Sequence, residues 1–244
     1  MSSNSYARIA CRSDGRVRGR TVEWFEFESL LLSALLQLRS DGEKSLIVGL
    51  AGPPGCGKST LARSLQSKMR LQVPSLSVGV ISLDDWYLSE AERSELGVRF
   101  RGAPESYDWP GIQAAIDGVR RRAIPLQLSR FDRNKDCRMR PDTITTSFDL
   151  CFVEGWLVGL ELDAVSQIAF DFLVTIDMDL DAAALCRLNR EMSASPDDRT
   201  IGESHSAVWN GVVRPILDTY FPKLRERSDW LVERRLATRL LSDD

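Results

Sequence analysis

One short glycine-rich run constrains the fold of this chain more than any other feature. Residues 52–59 read GPPGCGKS and match the pattern G-x-x-x-x-G-K-[ST]. This pattern predicts a loop whose backbone N–H groups surround phosphate oxygens, with Lys58 reaching the β- and γ-phosphates and the Ser59 hydroxyl binding Mg²⁺. We expect each residue of this P-loop, and the one that follows it, to bind nucleotide: Gly52, Pro53, Pro54, Gly55, Cys56, Gly57, Lys58, Ser59 and Thr60.

The residues on both sides of this loop have the patterns that the motif requires. Residues 45–51, SLIVGLA, form a short apolar run that is typical of a buried parallel strand. After the loop, Leu61, Leu65 and Met69 recur at a spacing of four and mark one face of a helix. Strand, loop and helix together predict a nucleotide site to which the N-terminus of the helix adds its partial positive charge.

Strand and helix patterns alternate along the rest of the chain. Further strands are predicted at residues 76–83, 148–153, 170–176 and 229–233, and further helices at residues 110–122, 179–192 and 204–227. This alternation predicts the α/β class, as a three-layer α/β/α P-loop NTPase fold with a mostly parallel central sheet. We place this nucleotide-binding domain at residues 44–244.

The N-terminal residues 1–43 form a polar segment followed by a predicted helix. Residues 1–20 are polar and rich in arginine, and we expect them to be frayed. Trp24, Phe27 and Leu31 recur at spacings of three and four, which predicts a helix over residues 21–39. The helix packs either on the nucleotide-binding domain or on a second subunit. A homodimer therefore remains one of the alternatives.

Composition narrows the class of protein. The chain has 244 residues, 43% of them hydrophobic, and a net charge of −3, so nothing indicates a nucleic-acid partner. The five cysteines form no C-x-x-C pair, and the sequence has neither a signal peptide nor an apolar run of membrane-spanning length. We therefore expect a reduced, cytoplasmic protein with no membrane partner. We predict that the single histidine, His205, lies on the surface without a functional role.

Carboxylates follow two of the predicted strands, at the ends where α/β folds bind their ligands. Asp84 and Asp85 come directly after the strand at residues 76–83, in a position to take a proton from a hydroxyl group and to hold water on Mg²⁺. The strand at residues 148–153 delivers Glu154, a position from which a carboxylate commonly orients Mg²⁺. The predicted metal-binding residues are therefore Ser59, Asp84 and Glu154.

Three segments around these carboxylates resemble small-molecule kinases. Residues 81–88, ISLDDWYL, and residues 152–159, FVEGWLVG, resemble the SLDDFYL and FEGW segments of D-glycerate 3-kinases. Residues 101–108, RGAPESYD, are similar to the GFPESYD stretch of bacterial pantothenate kinases. Both families belong to a broader group of P-loop kinases that includes uridine kinase and phosphoribulokinase. The resemblance covers residues 44–235.

The resemblance implies which residues surround the phosphate acceptor. Asp84 aligns with the catalytic aspartate, and Asp132 matches the aspartate of a Tyr-Asp pair near the acceptor, although Phe131 replaces the tyrosine. An acidic acceptor needs a cation, for which Arg101, Arg130 and Arg133 are candidates. The residues predicted to contact the acceptor are Asp84, Trp86, Tyr87, Arg101, Tyr107, Asp108, Arg130 and Asp132.

A further segment resembles a lid over the transferring phosphoryl group. Residues 187–191, RLNRE, are similar to the R-x-x-R-D lid of uridine kinases, which implies a helical lid around residues 186–204. Glu191 replaces the aspartate of that motif, so the lid need not close in the same way. The resemblance makes Arg187 and Arg190 catalytic residues beside Lys58 and Asp84.

These observations favour a phosphotransferase with ATP and Mg²⁺ as cofactors and an alcohol group on a small molecule as acceptor. Two of the resembling segments favour a glycerate-like hydroxy acid, while pantothenate, a nucleoside and a sugar remain alternatives. A nucleotide switch without an acceptor would need an N-K-x-D motif, and residues 134–136, NKD, lack its spacing. A non-catalytic regulator is a further alternative, against which the intact P-loop, Asp84 and Glu154 argue.

Overall fold

The computed structural model, which describes residues 6–13, 16–40, 44–162, 168–194 and 200–235, contains eleven strands and seven α-helices. The strands are β1 (Tyr6–Ser13), β2 (Arg16–Glu23), β3 (Leu46–Ala51), β4 (Val78–Ser82), β5 (Leu126–Leu128), β6 (Phe131–Asp132), β7 (Cys137–Arg138), β8 (Asp142–Ile144), β9 (Leu150–Glu154), β10 (Phe172–Asp177) and β11 (Trp230–Arg235). The helices are α1 (Trp24–Ser40), α2 (Lys58–Gln72), α3 (Glu90–Glu95), α4 (Trp109–Arg120), α5 (Leu180–Ala194), α6 (Ile201–Val208) and α7 (Arg214–Arg227).

Seven strands form one central sheet in the order β2-β1-β11-β10-β3-β9-β4. The pairs between β11 and β4 are all parallel, whereas β1 pairs antiparallel with both β11 and β2. Helices flank this sheet, which confirms the predicted α/β class. Glu154 pairs in register with Leu50 on one side and Ser82 on the other, so the carboxyl ends of β3, β9 and β4 meet at one edge.

The N-terminal segment corrects the prediction of a frayed tail. Residues 6–13 and 16–23 are strands of the central sheet, and six residue pairs join β1 to β11. The inward side chains of Ala7, Ile9 and Val22 are buried, so the hairpin gains apolar burial as well as hydrogen bonds. The hairpin also covers β11, which would otherwise present an open edge of the sheet. Residues 1–5 lie outside the described part of the chain.

Helix α1 packs inside the same chain, against the hairpin and α2. Its inward stripe contains Phe27, Leu31 and Leu35, all fully buried. A polar contact adds to this packing, because the Glu28 carboxylate accepts a hydrogen bond from the Ser64 hydroxyl of α2 at 2.8 Å. The N-terminal elements are therefore joined to the nucleotide-binding core by apolar and polar contacts.

Between α4 and β9 the chain leaves the central sheet and forms two small antiparallel pairs, β5 with β8 and β6 with β7. The β6–β7 hairpin turns back toward β4. Its turn is held by Asp136, which accepts hydrogen bonds from Arg93 at 2.5 Å and from Arg101 at 3.2 Å. These ion pairs fix the position of Arg133 in the same turn.

Residues 204–227, which the sequence predicts to be mostly helical with breaks or kinks at Pro215 and Pro222, are helical but change geometry before Pro215. A π-helical turn, Trp209–Val213, separates α6 from α7. Pro215 lies in the first turn of α7, directly after the π-helical turn, and Pro222 lies inside that helix. None of the helices in the described part of the chain combines the length and apolar composition needed to cross a membrane.

Candidate active site

The P-loop connects β3 to α2 and follows the predicted strand–loop–helix order. Gly52, Gly55 and Gly57 have positive φ angles of 141°, 92° and 100°, conformations that side chains disfavour. A side chain at Gly55 would also collide with the backbone carbonyl of Ala183 in α5, so α5 rests directly on the loop. Lys58 is buried, and its ammonium donates to the carbonyls of Gly52 and Pro53 at 2.9 Å each.

Two hydroxyl groups converge on the buried carboxylate of Glu154. The Ser59 hydroxyl donates to Oε1 at 2.9 Å, and the Ser82 hydroxyl donates to the same oxygen at 2.6 Å. Hydroxyl and carboxylate oxygens are the donors that Mg²⁺ prefers, so Ser59 and Glu154 fit a magnesium site. The described residues contain no cluster of three or more histidine, cysteine, aspartate or glutamate side chains suited to a metal. A metal here would therefore take its remaining ligands from phosphate and water.

Asp84 lies in a 3₁₀ turn, Leu83–Asp85, directly after β4. Its Oδ1 accepts a hydrogen bond from the Tyr87 hydroxyl at 2.7 Å, and its Oδ2 accepts one from Arg133 Nη2 at 2.9 Å. The Tyr107 hydroxyl donates in turn to that of Tyr87 at 3.0 Å, and the Trp156 indole N–H donates to Tyr107 at 3.2 Å. This chain of donors orients the Asp84 carboxylate.

The surroundings of Asp84 determine its charge. Burial raises the pKa of Asp84, but the charge of Arg133 and the hydrogen bond from Tyr87 outweigh burial, so the pKa lies below its usual value. Burial and the neighbouring Asp84 charge raise the pKa of Tyr87, and burial likewise raises the pKa of Tyr107. At neutral pH the site therefore holds an ionised carboxylate beside two neutral phenols.

A cavity of about 230 Å³ brings together six of the nine predicted nucleotide-binding residues and every predicted catalytic residue except Arg187. Its walls come from the P-loop, the ends of β4 and β9, α5 and β11. The lining residues are Pro54, Gly55, Gly57, Lys58, Ser59, Thr60, Asp84, Glu154, Gly155, Trp156, Cys186, Arg190 and Arg234. The cavity thus joins the P-loop, the oxygen atoms of Ser59 and Glu154 that fit a metal, and the ionised carboxylate of Asp84. Groups of these three kinds are the ones that phosphoryl transfer uses.

Comparisons with known proteins show which families this chain is similar to. The profile of the family described as "ATPase family associated with various cellular activities (AAA)" matches residues 48–100, which include the P-loop. The chain is 27% identical to the pantothenate kinase of Latilactobacillus sakei over 87% of its own length and 75% of the relative. It is 24% identical to the uridine kinase of Lactobacillus helveticus, covering 78% of this chain and 87% of that protein.

The fold is also similar to that of a D-glycerate 3-kinase from Cryptococcus neoformans, with a TM-score of 0.64 and 19% identity over 82% of this chain and 89% of the other. These proteins belong to the group of P-loop kinases that contains phosphoribulokinase, uridine kinase and pantothenate kinase, and the chain is similar to them. The chain is an ATP-dependent kinase of small molecules.

Several residues that the sequence predicts to contact the acceptor of this kinase have other partners in the structure. Trp86 is buried against Gly111 in the core. Asp108 caps α4 by accepting from the Gly111 N–H at 3.0 Å, and it accepts from Arg138 at 3.0 Å. Asp132 accepts from the N–H groups of two residues in its own turn, at 3.0 and 3.1 Å. None of these three side chains lines the cavity, and the polar atoms of Asp108 and Asp132 bond to other parts of the chain.

The three candidate cations also differ in their surroundings. Arg101 donates to Asp136, and its guanidinium lies 5.7 Å from the centre of the buried Phe131 ring. Arg130 bridges Asp85 and Asp142 at 3.1 and 2.6 Å. Arg133 alone of the three donates to Asp84, and its side chain is 50% exposed. Arg133 is thus the candidate cation nearest the reacting group.

The two predicted lid arginines lie on α5 with different neighbours. Arg190 lines the cavity. Arg187 donates from Nε to Glu191 at 2.7 Å, and Glu191 also bonds to Nδ1 of His205 at 3.0 Å. His205 is buried and stacks on Trp209, which corrects the prediction of a surface histidine. The lid itself stays a prediction, and residues 195–199 within it lie outside the described part of the chain.

Sequence reasoning missed two contributors to the site. Ser82 precedes the Leu83–Asp85 turn on β4 and faces Glu154, a position that strand alternation and pairing could have indicated. Arg234, near the end of β11, reaches the P-loop and donates to the Cys56 carbonyl at 2.5 Å. No local pattern marks Arg234, because its position depends on which strands neighbour β11.

Proposed function

We propose that this kinase transfers the γ-phosphoryl group of ATP to a hydroxyl group of a small, glycerate-like hydroxy acid. The observation that carries the proposal is the position of Asp84. Its ionised carboxylate lines the same cavity as Lys58, Ser59 and Glu154, and Arg133 lies against its second oxygen. A base, a phosphate site and a half-exposed cation paired with the base thus lie close together.

Each residue of the site has its own role in the phosphoryl transfer. The acceptor oxygen bonds to the γ-phosphorus, the bond from that phosphorus to the β,γ-bridging oxygen breaks, and ADP leaves. Asp84 orients the acceptor hydroxyl and takes its proton. Lys58 and the loop N–H groups stabilise negative charge on the phosphates, and Arg190 with Arg187 excludes water over the γ-phosphate. Ser59 and Glu154 would hold Mg²⁺, which neutralises phosphate charge when bound.

The nature of the acceptor is inferred from Arg133. A half-exposed guanidinium beside the base is suited to a carboxylate, which it can hold through two parallel hydrogen bonds. Glycerate and pantothenate both carry a carboxylate and a hydroxyl group, so both agree with this arrangement.

The cysteines whose side chains the structure describes, Cys56, Cys137, Cys151 and Cys186, are free thiols, which supports a cytoplasmic setting.

A nucleoside is the second candidate acceptor, favoured by the similarity to uridine kinases over most of this chain. A nucleoside carries no carboxylate, so in that case Arg133 would remain paired with Asp84 or contact a neutral oxygen. Acceptors with and without a carboxylate therefore distinguish the two candidates.

The test is ADP release from Mg-ATP with D-glycerate, pantothenate, uridine, ribose and fructose as acceptors. We expect turnover with a hydroxy acid, and a loss of at least about 100-fold in kcat for Asp84→Asn, because the base is removed. Asp218→Asn, an exposed carboxylate on α7, serves as the matched control. ADP release that needs no acceptor, and that Asp84→Asn leaves unchanged, would contradict the proposal.

A further inference from the structure

Arg234 lines the cavity and has no carboxylate partner within the described residues. Its Nη1 donates to the Cys56 carbonyl at 2.5 Å, and its Nε is buried without a hydrogen-bond partner in that part of the chain. A buried cationic donor that is left unsatisfied costs free energy unless a ligand accepts its hydrogen bond. The side chain lines the cavity beside the P-loop. Its environment is that of an anion-binding group.

The position of Arg234 on the loop indicates which part of the nucleotide it meets. A side chain at Gly57 would collide with its Nη1, so the guanidinium lies against the backbone at the start of α2. The loop N–H groups there surround the α- and β-phosphates, whereas Lys58 and Asp84 mark the γ-phosphate end of the cavity. We propose that Arg234 is a nucleotide-binding residue that contacts the phosphates common to ATP and ADP.

The N-terminal elements hold Arg234 in this position. Trp24, the first residue of α1, places its ring 4.6 Å from the guanidinium carbon, a cation–π contact. Trp24 itself packs on Phe27, with ring centres 5.0 Å apart. On the other side, β11 pairs with β1 at Ala7, opposite Arg234. The hairpin and α1 thus fix a cation at the loop before any nucleotide binds, which reduces the entropy lost on binding.

The test measures binding and does not depend on the acceptor. Affinities of the full chain for Mg-ADP, Mg-ATP and Mg-pyrophosphate are determined by calorimetry for the wild type and Arg234→Met. Loss of one charge-assisted hydrogen-bonding group is expected to weaken all three by roughly 10- to 100-fold. The neighbouring exposed Arg235→Met, which removes the same charge from the same strand, is expected to change them by less than about threefold.

Two further variants keep the inference testable if Arg234→Met folds poorly. Arg234→Lys keeps the charge without the planar fork and should lose part of the affinity. Trp24→Leu removes the stacking surface and should weaken ADP binding by a smaller factor than Arg234→Met. Far-ultraviolet circular dichroism confirms folding of each variant. Unchanged nucleotide affinity in folded Arg234→Met or Arg234→Lys would overturn the inference. Weaker nucleotide binding with unchanged pyrophosphate affinity would also overturn it, since the contact would then be to the base.

Discussion

At the scale of single residues, the hydrogen-bond donors around Asp84 differ in their exposure to solvent. Tyr87 and Tyr107 are buried, and Trp156 holds Tyr107 from the other side. Arg133 lies on an outlying hairpin and is half exposed. The tyrosines therefore keep the carboxylate oriented, while Arg133 is the donor that an anionic acceptor can draw away from Oδ2.

The first prediction concerns Arg133 and the acid limb of the pH–rate profile. The charge of Arg133 lowers the pKa of Asp84, so Arg133→Met should raise that pKa. Because activity requires the ionised carboxylate, the acid limb of kcat/KM should move to higher pH in the variant. The profile is measured with the preferred acceptor. Lys135→Met, a 78% exposed residue of the same hairpin, is the control and should leave the limb in place. A limb that stays in place or moves to lower pH in Arg133→Met would contradict this account.

At the scale of elements, α5 and α6 are joined by one carboxylate. Glu191 on α5 accepts from Arg187 on its own helix and pairs with His205 on α6. α5 in turn rests on the P-loop at Gly55. Contacts between these helices therefore affect where Arg187 and Arg190, the two predicted lid arginines, lie relative to the P-loop.

The second prediction is that Glu191→Gln loosens this pair of helices in a pH-dependent way. Burial raises the pKa of Glu191, but the charge of Arg187 and the hydrogen bonds outweigh it, so the folded pKa lies below the ordinary 4.5. The stability from this carboxylate is thus present above pH 4.5 and is lost as the pH falls through the folded pKa. At pH 7 the variant should lose about 1 kcal/mol in the free energy of unfolding.

Urea unfolding at several pH values checks this prediction. The difference between wild type and Glu191→Gln should shrink below pH 4.5. Glu95→Gln, an exposed residue of α3, should differ little from wild type throughout. A difference that is independent of pH would show that the glutamine acts through packing and not through charge.

At the scale of the whole molecule, the N-terminal elements and the kinase core share one sheet and one apolar core. The hairpin extends the sheet past β11, and Phe27 packs near Trp230 of that strand, with ring centres 6.4 Å apart. The sequence suggests a boundary after residue 43, between an N-terminal segment and the kinase domain. We propose instead that the described residues on both sides of it unfold as one unit.

The third prediction tests whether the N-terminal elements and the kinase core unfold together. Phe27→Ala leaves a cavity under α1 and should lower the free energy of unfolding by roughly 3–5 kcal/mol. The loss should be the same by circular dichroism and by tryptophan fluorescence, in one transition. Phe25→Ala, 70% exposed on the same helix, should cost less than about 1 kcal/mol. Separate transitions, with the core transition unchanged by Phe27→Ala, would support two independent domains.

The sequence by itself determined the class of fold and the centre of the site. The P-loop is a contiguous motif whose conformation is encoded locally by its glycines, and apolar runs of strand length predict the sheet around it. Asp84 and Glu154 could be predicted because they directly follow such runs, and the ends of parallel strands meet at one edge.

Only the tertiary structure decided which distant groups meet these residues. Arg234 reaches Cys56 across 178 positions of sequence, and Tyr107 reaches Tyr87 across 20. Such contacts depend on strand order, register and loop closure, which the local patterns of apolar and polar residues do not specify. For the same reason the sequence alone predicts a frayed N-terminal segment where the structure has two strands. Its strands are stable only because β1 pairs with the edge of β11 and α1 packs on the hairpin. Both contacts exist only in the folded chain.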